Sequence, residues 1–399
     1  MKNLFYLLIL AFQFSFAQTS NDSITAIQIK TFGANYKDFI VIEKDVFAIT
    51  KGDSLIKINL NQDKAFLLMK NVRAITKDSK KRLLFAKNDG SVFRFINDGK
   101  SKKIAQIVGK IFNILVDKHD KLIVISENGV VYKNKYYLPE KNSSMFRKAG
   151  LIKANKTLIP VDVLFLDHKE RIWFGYDAGE WGGDVCFFDI KKTIFLEGES
   201  LESFHYKKHE TSLYDKDLIK LYPDKMKVLG NDMLSVFPHS FYISNIKGIA
   251  EDKNGNFYTA ESNMHFFMSG SITKYSEIQE NYYKYDEIKL LDYEKSPNQD
   301  IKNSGNLTEY LGPIQYNSFN DYVYYYTNKG FFKILQNGEI YSKEFIFKPV
   351  ILWKFGLADA VGYQMNVKKF EFISENEMLF LTSSNGIGFY DGKTVKYYQ

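Results

Sequence analysis

The stretch Tyr176-Asp-Ala-Gly-Glu-Trp-Gly-Gly-Asp184 gathers the residue types best suited to chemistry. Its glycines let the backbone bend closely around a partner. Trp181 offers a flat apolar face, and Glu180 and Asp184 beside it can accept hydrogen bonds, the combination that holds a sugar or a peptide. Trp353, Phe355 and Tyr363 form a second aromatic group in a loop rich in glycine and alanine. A glycosidase would need two carboxylates about 5–10 Å apart, and Glu180 with Asp184 or Asp177 is the pair that fits.

Other arrangements carry weaker signals. His205 and His209 stand four apart, which on a helix would put both on one face, as a metal site requires. The metalloprotease pattern needs Glu directly after the first His, and that position is Tyr206. Asp252-Lys-Asn-Gly-Asn256 opens like a calcium loop but lacks the later bidentate Glu, and an Asn-Gly turn between strands accounts for it. No glycine-rich phosphate loop precedes a helix, and no nucleophile elbow is present. The expectation is no metal, no cofactor and no catalytic residue. Three tryptophans are too few for a quinone-dependent dehydrogenase, and five arginines leave little for a three-arginine carboxylate clamp. The lone Cys186 lies in the apolar run Val185-Cys-Phe-Phe188 and reads as a buried thiol.

What must position these residues is a repeat. Asp78 and Gly90 stand twelve apart, and so do Asp117 and Gly129, Asp167 and Gly179, Ser318 and Gly330, and Ser374 and Gly386. The fifth and sixth positions between each pair are apolar or aromatic, as in Leu83-Leu84 and Ile172-Trp173. Asp252 opens a further copy with its glycine displaced to about Gly270, and Phe39 to Gly52 is an earlier one with a shorter first turn. Short β-rich runs punctuated by turn residues that tolerate positive φ, at roughly 40–50-residue intervals, are the mark of propeller blades. The expected fold is all-β: a β-propeller of seven four-stranded blades. Spacings from 39 (Asp78 to Asp117) to 85 (Asp167 to Asp252) leave six and eight as alternatives.

The frame resembles the two-component-regulator propeller repeat, roughly Asp, two residues, Gly, two, Trp, small, Thr, two, Gly, Leu. Asp167 to Gly179 with Trp173, Asp252-Lys-Asn-Gly255, and Thr382-Ser-Ser-Asn-Gly386-Ile carry the likeness. The resemblance implies a periplasmic sensor of glycans, ordinarily joined to a membrane helix and a kinase; neither attachment is seen here, so the chain reads as a stand-alone member.

Residues 1–17 read as a secretory signal peptide: Lys2, an apolar run from Leu4 to Phe12, and small residues at Ser15 and Ala17. That run is too short to span a bilayer, which needs about 20 residues. Residues 18–37 read as a leader or closing strand, and 38–399 as one propeller domain with an insertion at about 197–245. The expected location is periplasmic or secreted, with no transmembrane segment after cleavage. The net charge is +7, with lysines scattered as in Lys80-Lys81-Arg82, Lys102-Lys103 and Lys191-Lys192. These read as solvated turn and edge lysines that discourage sheet-to-sheet pairing, and no nucleic-acid partner is expected. Propeller geometry gathers the turns at Gly90, Gly129, Gly179 and Gly386 with the long inter-blade connections on one face, and such rims usually bind. The function expected is non-catalytic binding of a glycan, peptide or envelope protein at that face, with a lyase or hydrolase as the alternative.

Overall fold

The computed structural model describes residues 24–31, 35–97, 100–139, 158, 160–177, 183–197, 202–205, 227–229, 232–234, 239–240, 245–264, 268–279, 282–288, 310–338, 340–351 and 367–399. These residues are strands, turns and bends without a helix. Seven antiparallel sheets follow one another along the chain and form a seven-bladed β-propeller. The inner strands, in order, are Tyr36–Ile42, Val72–Lys77, Ile111–Val116, Val163–Leu166, Ile246–Glu251, Leu311–Asn317 and Val367–Phe372. From each, the chain meanders outward through three more strands.

The apolar material is arranged between blades. There are seven buried clusters, and each joins two successive sheets. One unites Ile40, Phe47 and Leu55 of blade one with Ile75, Leu83 and Phe85 of blade two. Another unites Phe39, Val46 and Ile58 of blade one with Leu379, Ile387 and Tyr398 of blade seven, which shuts the ring. A lone four-stranded sheet cannot bury both faces, so each blade depends on its neighbours.

The recurring Asp has a definite task. Asp78 accepts the Lys80 and Arg82 amides, Asp117 those of His119 and Lys121, and Asp252 those of Asn254 and Asn256, at 2.8–3.1 Å. Each caps the turn between the first two strands as an Asx turn. The other carboxylate oxygen reaches into the second or third strand: Asp78 to Arg82 Nε, Asp117 to Tyr132 OH, and Asp167 to both Arg171 Nε and Trp173 Nε1. The Asp252 oxygens are occupied in this way, as the turn reading requires. Trp173 and Cys186 are buried.

The recurring Gly is equally constrained. At Gly90 (φ +81°) and Gly386 (φ +74°), a Cβ would sit 2.1 Å from the carbonyl oxygen of Ile107 or Tyr398, where the fourth strand leaves the blade. Only a residue without a side chain fits both the left-handed backbone and that approach.

Several expectations are corrected. Gly270 is not a turn residue; it lies inside the strand Met268–Gln279, opposite Ser262. In blades six and seven the repeat begins one residue earlier than Ser318 and Ser374. Asn317 Oδ1 accepts the Phe319 amide there, and Ile373 N donates to Glu377 O where Asp78 N donates to Arg82 O. Blade six starts at Leu311, although the polar sequence from Glu287 to Gln315 reads as a connection with the blade beginning at Tyr316. His205 ends the strand Glu202–His205, parallel to the outer strand of blade five, so helical spacing to His209 does not apply; His209 lies outside the described residues. Apart from these corrections, Thr25–Ile29, within the stretch read as a leader or closing strand, runs parallel to Thr394–Tyr398 as a fifth, outermost strand of blade seven.

Candidate functional site

Six of the seven inner strands break register at their first residues: between Tyr36 and Asp38, Val72 and Ala74, Ile111 and Asn113, Ile246 and Gly248, Leu311 and Ile314, and Val367 and Lys369. A β-bulge of this kind re-aims the extra side chain. The residues bulged out are Lys37, Arg73, Phe112, Lys247, Gly312 with Pro313, and Lys368. In blade four Asp162 precedes the strand and its N–H donates to Gly175 O. All of these but Gly312 line one central cavity of about 470 Å³, drawn from all seven blades.

The bulges lie at the end of the ring where the second turn of each blade emerges. Backbone bonds fix this: Lys51 N to Asn35 O, Asn88 N to Asn71 O, Glu127 N to Lys110 O, and Asn328 N to Tyr310 O. That end also receives the links between blades.

The charge here is mixed, with an excess of cations. Lys37 pairs with Asp53, and Lys369 with Asp38 at 3.0 Å and Glu371 at 3.2 Å. Burial pushes the Asp53 carboxyl up, but bonds from Lys37 and Asn88 outweigh it and hold it below the ordinary range. Burial lowers the Lys369 ammonium, and Asp38 and Glu371 more than reverse this. Arg73 gives Nε to Ile111 O at 2.8 Å, and Lys247 Nζ stands 5.2 Å from the Tyr310 ring centroid. The Lys368 side chain is exposed, yet partial desolvation and the nearby Lys51 charge depress its pKa. No described carboxylate lies within 4.0 Å of Arg73 or Lys368. Among the described residues no three His, Cys, Asp or Glu gather to hold a metal.

Of the sequence-derived candidates, Tyr176 is half-buried and packs against the core between blades three and four. It pairs in register with Asp184, and Asp177 with Gly183, so these residues form the two arms of the blade-four hairpin. Glu180 and Trp181 at its tip, and Trp353, Phe355 and Tyr363 before blade seven, lie outside the described residues. The hairpin base leans on blade five: a Cβ at Gly183 would sit 2.8 Å from Asn245 N. Asn245 is fully buried there, and neither Oδ1 nor Nδ2 has a hydrogen-bond partner.

The cations of the channel went unremarked in the sequence, although a signal exists. Asn35-Tyr-Lys37, Asn71-Val-Arg73, Asn245-Ile-Lys247 and Asn366-Val-Lys368 repeat one triad at the head of four inner strands. Asn71 (φ +63°) and Asn245 (φ +52°) take the left-handed backbone that asparagine tolerates. The lysines read as solvated, Lys80, Lys81, Lys102, Lys103, Lys191 and Lys192, are indeed exposed.

No protein-family model matches this chain, and no curated protein matches it either. The fold is similar to that of YCF48 in the solved structure "YCF48 bound to D1 peptide", with a TM-score of 0.50 at 9% identity over 94% of this chain and 99% of that one. It is also similar to the extracellular domain assigned to a hybrid two-component system from B. thetaiotaomicron. There the TM-score is 0.47 at 14% identity, over 94% of this chain and 40% of that one. At 9% identity the likeness to YCF48 speaks for the propeller fold alone.

Proposed function

We propose that this chain is an exported, non-catalytic binding propeller, and that its site is the loop-rich mouth of the central channel. The carrying observation is the bulge at the head of six inner strands, which turns side chains from separate blades into one cavity. A bulge disrupts a ladder, so keeping one in blade after blade makes sense where side chains must converge. A rigid ring with irregular connections at one end is a common platform for recognition. The solved fold relative with a bound peptide is consistent with a peptide ligand, and a glycan or an envelope protein fits the same mouth. Export rests on the signal-like residues 1–17. No helix among the described residues is long and apolar enough to cross a membrane. Glu180, Trp181, Asp184, Trp353, Phe355 and Tyr363 are proposed as the rim around the cavity.

A ligand that binds only the folded ring raises its melting temperature by mass action, equivalent to about 2.7 kcal/mol at a hundredfold excess over Kd. Thermal-shift screening against glycan and envelope-peptide collections is expected to return a stabilising ligand whose effect is lost in Trp181→Ala. Uniform failure of both collections would overturn the binding reading. Turnover of a hit that disappears in Glu180→Gln would replace it with the enzyme alternative.

A further inference from the structure

The channel mouth has a polarity that narrows its ligand. The interface clusters order the blades one to seven around the ring, so blades seven and two flank blade one, and blade four lies across the channel. On the blade-one side stand Lys37, Lys51, Arg73, Lys368 and Lys369. Lys37 and Lys369 are neutralised by Asp53 and by Asp38 with Glu371. Among the described residues Arg73 makes no ion pair within 4.0 Å and only feels the Asp53 charge at longer range, Lys368 has no carboxylate within 4.0 Å, and the two sit at equivalent bulge positions on either side of blade one. Across the channel Asp162 lines the cavity, with Asn113 on the adjacent blade three and Gln315 farther round on blade six.

We propose that Arg73 and Lys368 together receive a carboxylate of the ligand, while Asp162 across the channel accepts from its hydroxyl or ammonium group. This rests on the reading of the mouth as the binding site. A guanidinium presents parallel N–H donors that match a carboxylate, and a lysine adds a mobile point charge. A dianion such as phosphate fits less well, because Asp38 and Asp162 line the same space, and Asp53 and Glu371 already offset Lys37 and Lys369 at its edge. The cavity of about 470 Å³ admits one small acid or the end of a chain. A uronic acid and an acidic amino acid both have this chemistry: a carboxylate, with a hydroxyl or ammonium group some ångströms away. Anion binding also relieves the crowding of Lys368 by Lys51, so affinity falls as the pH rises through the depressed pKa of Lys368.

Calorimetry on the whole chain at low salt with galacturonate, glutamate, galactose and inorganic phosphate tests this. Galacturonate or glutamate is expected to bind, and which of them does so identifies the source of the carboxylate. Lys368→Gln and Arg73→Gln are each expected to weaken binding about fivefold, the ordinary contribution of an exposed charge pair, and raised salt is expected to weaken it further. Lys102→Gln, on an exposed outer strand, is the unchanged control. Arg73 also holds Ile111 O, so Lys368→Gln, whose side chain has no such bond, keeps the test independent of folding. Galactose or phosphate binding as tightly as the carboxylates would overturn the proposal. So would undiminished carboxylate binding by Lys368→Gln. If none of the four binds while the thermal screen returns a neutral ligand, the carboxylate assignment falls and the mouth as a binding site stands; failure of both removes both.

Discussion

The blade-four hairpin rests on a buried ion pair whose loss should be costly. Arg171 and Asp167 lie four residues apart, with side chains 4% and 0% exposed, and Nε stands 2.6 Å from Oδ2. The guanidinium also donates to Tyr283 OH at 2.9 Å and sits 5.4–5.8 Å from the ring centroids of Trp173, Phe187, Phe257 and Tyr283. These rings form the core between blades four and five. Burial pushes the Tyr283 hydroxyl up to about 12, with Arg171 pulling it back. Asp167 also accepts Trp173 Nε1 and the Arg171 amide. Asp167→Ala therefore strands a buried cation and two donors at once, and removal of one partner from such a pair costs about 3–5 kcal/mol. At about 2 cal/mol/K per residue, this corresponds to a fall in melting temperature of roughly 4–6 °C for a chain of this size. Equilibrium unfolding in urea and a thermal melt would measure it. The double variant Asp167→Leu with Arg171→Met removes both charges, and should recover much of the loss because an apolar pair of similar volume suits the aromatic pocket. A loss below about 1 kcal/mol in Asp167→Ala would refute the reasoning, as would a double variant no better than the single one.

Two further outcomes follow from the same structure. Gly386→Ala places a methyl 2.1 Å from Tyr398 O at φ +74°, so destabilisation of about 2 kcal/mol or more is expected on urea unfolding. Gly338→Ala, also at positive φ but with open space around it, should cost only the backbone part. Asp63 joins blade one to blade seven through Lys396 Nζ and Tyr398 OH, at 2.8 and 2.7 Å. Burial raises its carboxyl, and those two bonds more than offset this, leaving it below the ordinary range. A carboxylate held low binds fewer protons in the folded state than in the unfolded one. Its stabilisation is thus complete above about pH 4 and is lost as the pH falls through the folded value. Melts from pH 7 to pH 3 should show Asp63→Asn less stable than the parent at neutrality, with the gap narrowing as the pH falls below about 4.

The fold was legible because its turns demand particular residues at fixed steps. An Asx turn needs a short side chain with an oxygen, and the start of the third strand needs glycine where the fourth strand passes over it. Asp78, Asp117 and Asp167 with Gly90 and Gly129 therefore repeat visibly. Where the turn is made otherwise, the frame slips. Ile373 has no side-chain oxygen to cap with, and Asn317 hides beside Ser318. The second strand of blade five runs to Met264, so no glycine falls at the expected step and Gly270 was a chance substitute. Thr25–Ile29 lies in the stretch read as a leader or closing strand, but its parallel pairing with Thr394–Tyr398 joins opposite ends of the sequence, so no local pattern sets its register. The channel cations share an Asn-x-Lys/Arg triad, but its meaning was hidden for another reason. A bulge adds one residue to a strand and shifts the alternation that would show which side chains point inward. Lys37, Arg73 and Lys368 thus look like any other strand lysine or arginine until the register is known.

The two ends of the ring are built for different work. At the end away from the bulges, polar contacts pass from each blade to the next: Ser79 to Asp120, Lys118 to Glu170, His168 to Glu251, Lys253 to Asp321, and Asn317 Nδ2 to Glu375 O. Asp120, Glu170 and Asp321 occupy left-handed turn positions, so that local strain is accepted where an acid can reach the preceding blade. In blade five that position is Gly255, where a Cβ would sit 2.9 Å from the His168 ring, and the contact passes instead to Glu251. Burial raises the Glu251 carboxyl and His168 draws it back. Such a belt resists splaying of the blades. The opposite end gives up regular pairing at six inner strands and leaves Arg73 and Lys368 without a described carboxylate within 4.0 Å, Arg73 feeling only the longer-range charge of Asp53. Substitution in the belt should therefore lower stability and spare binding, while substitution at Lys368 should do the reverse. A ring in which both changes moved both quantities equally would not have this division between its ends.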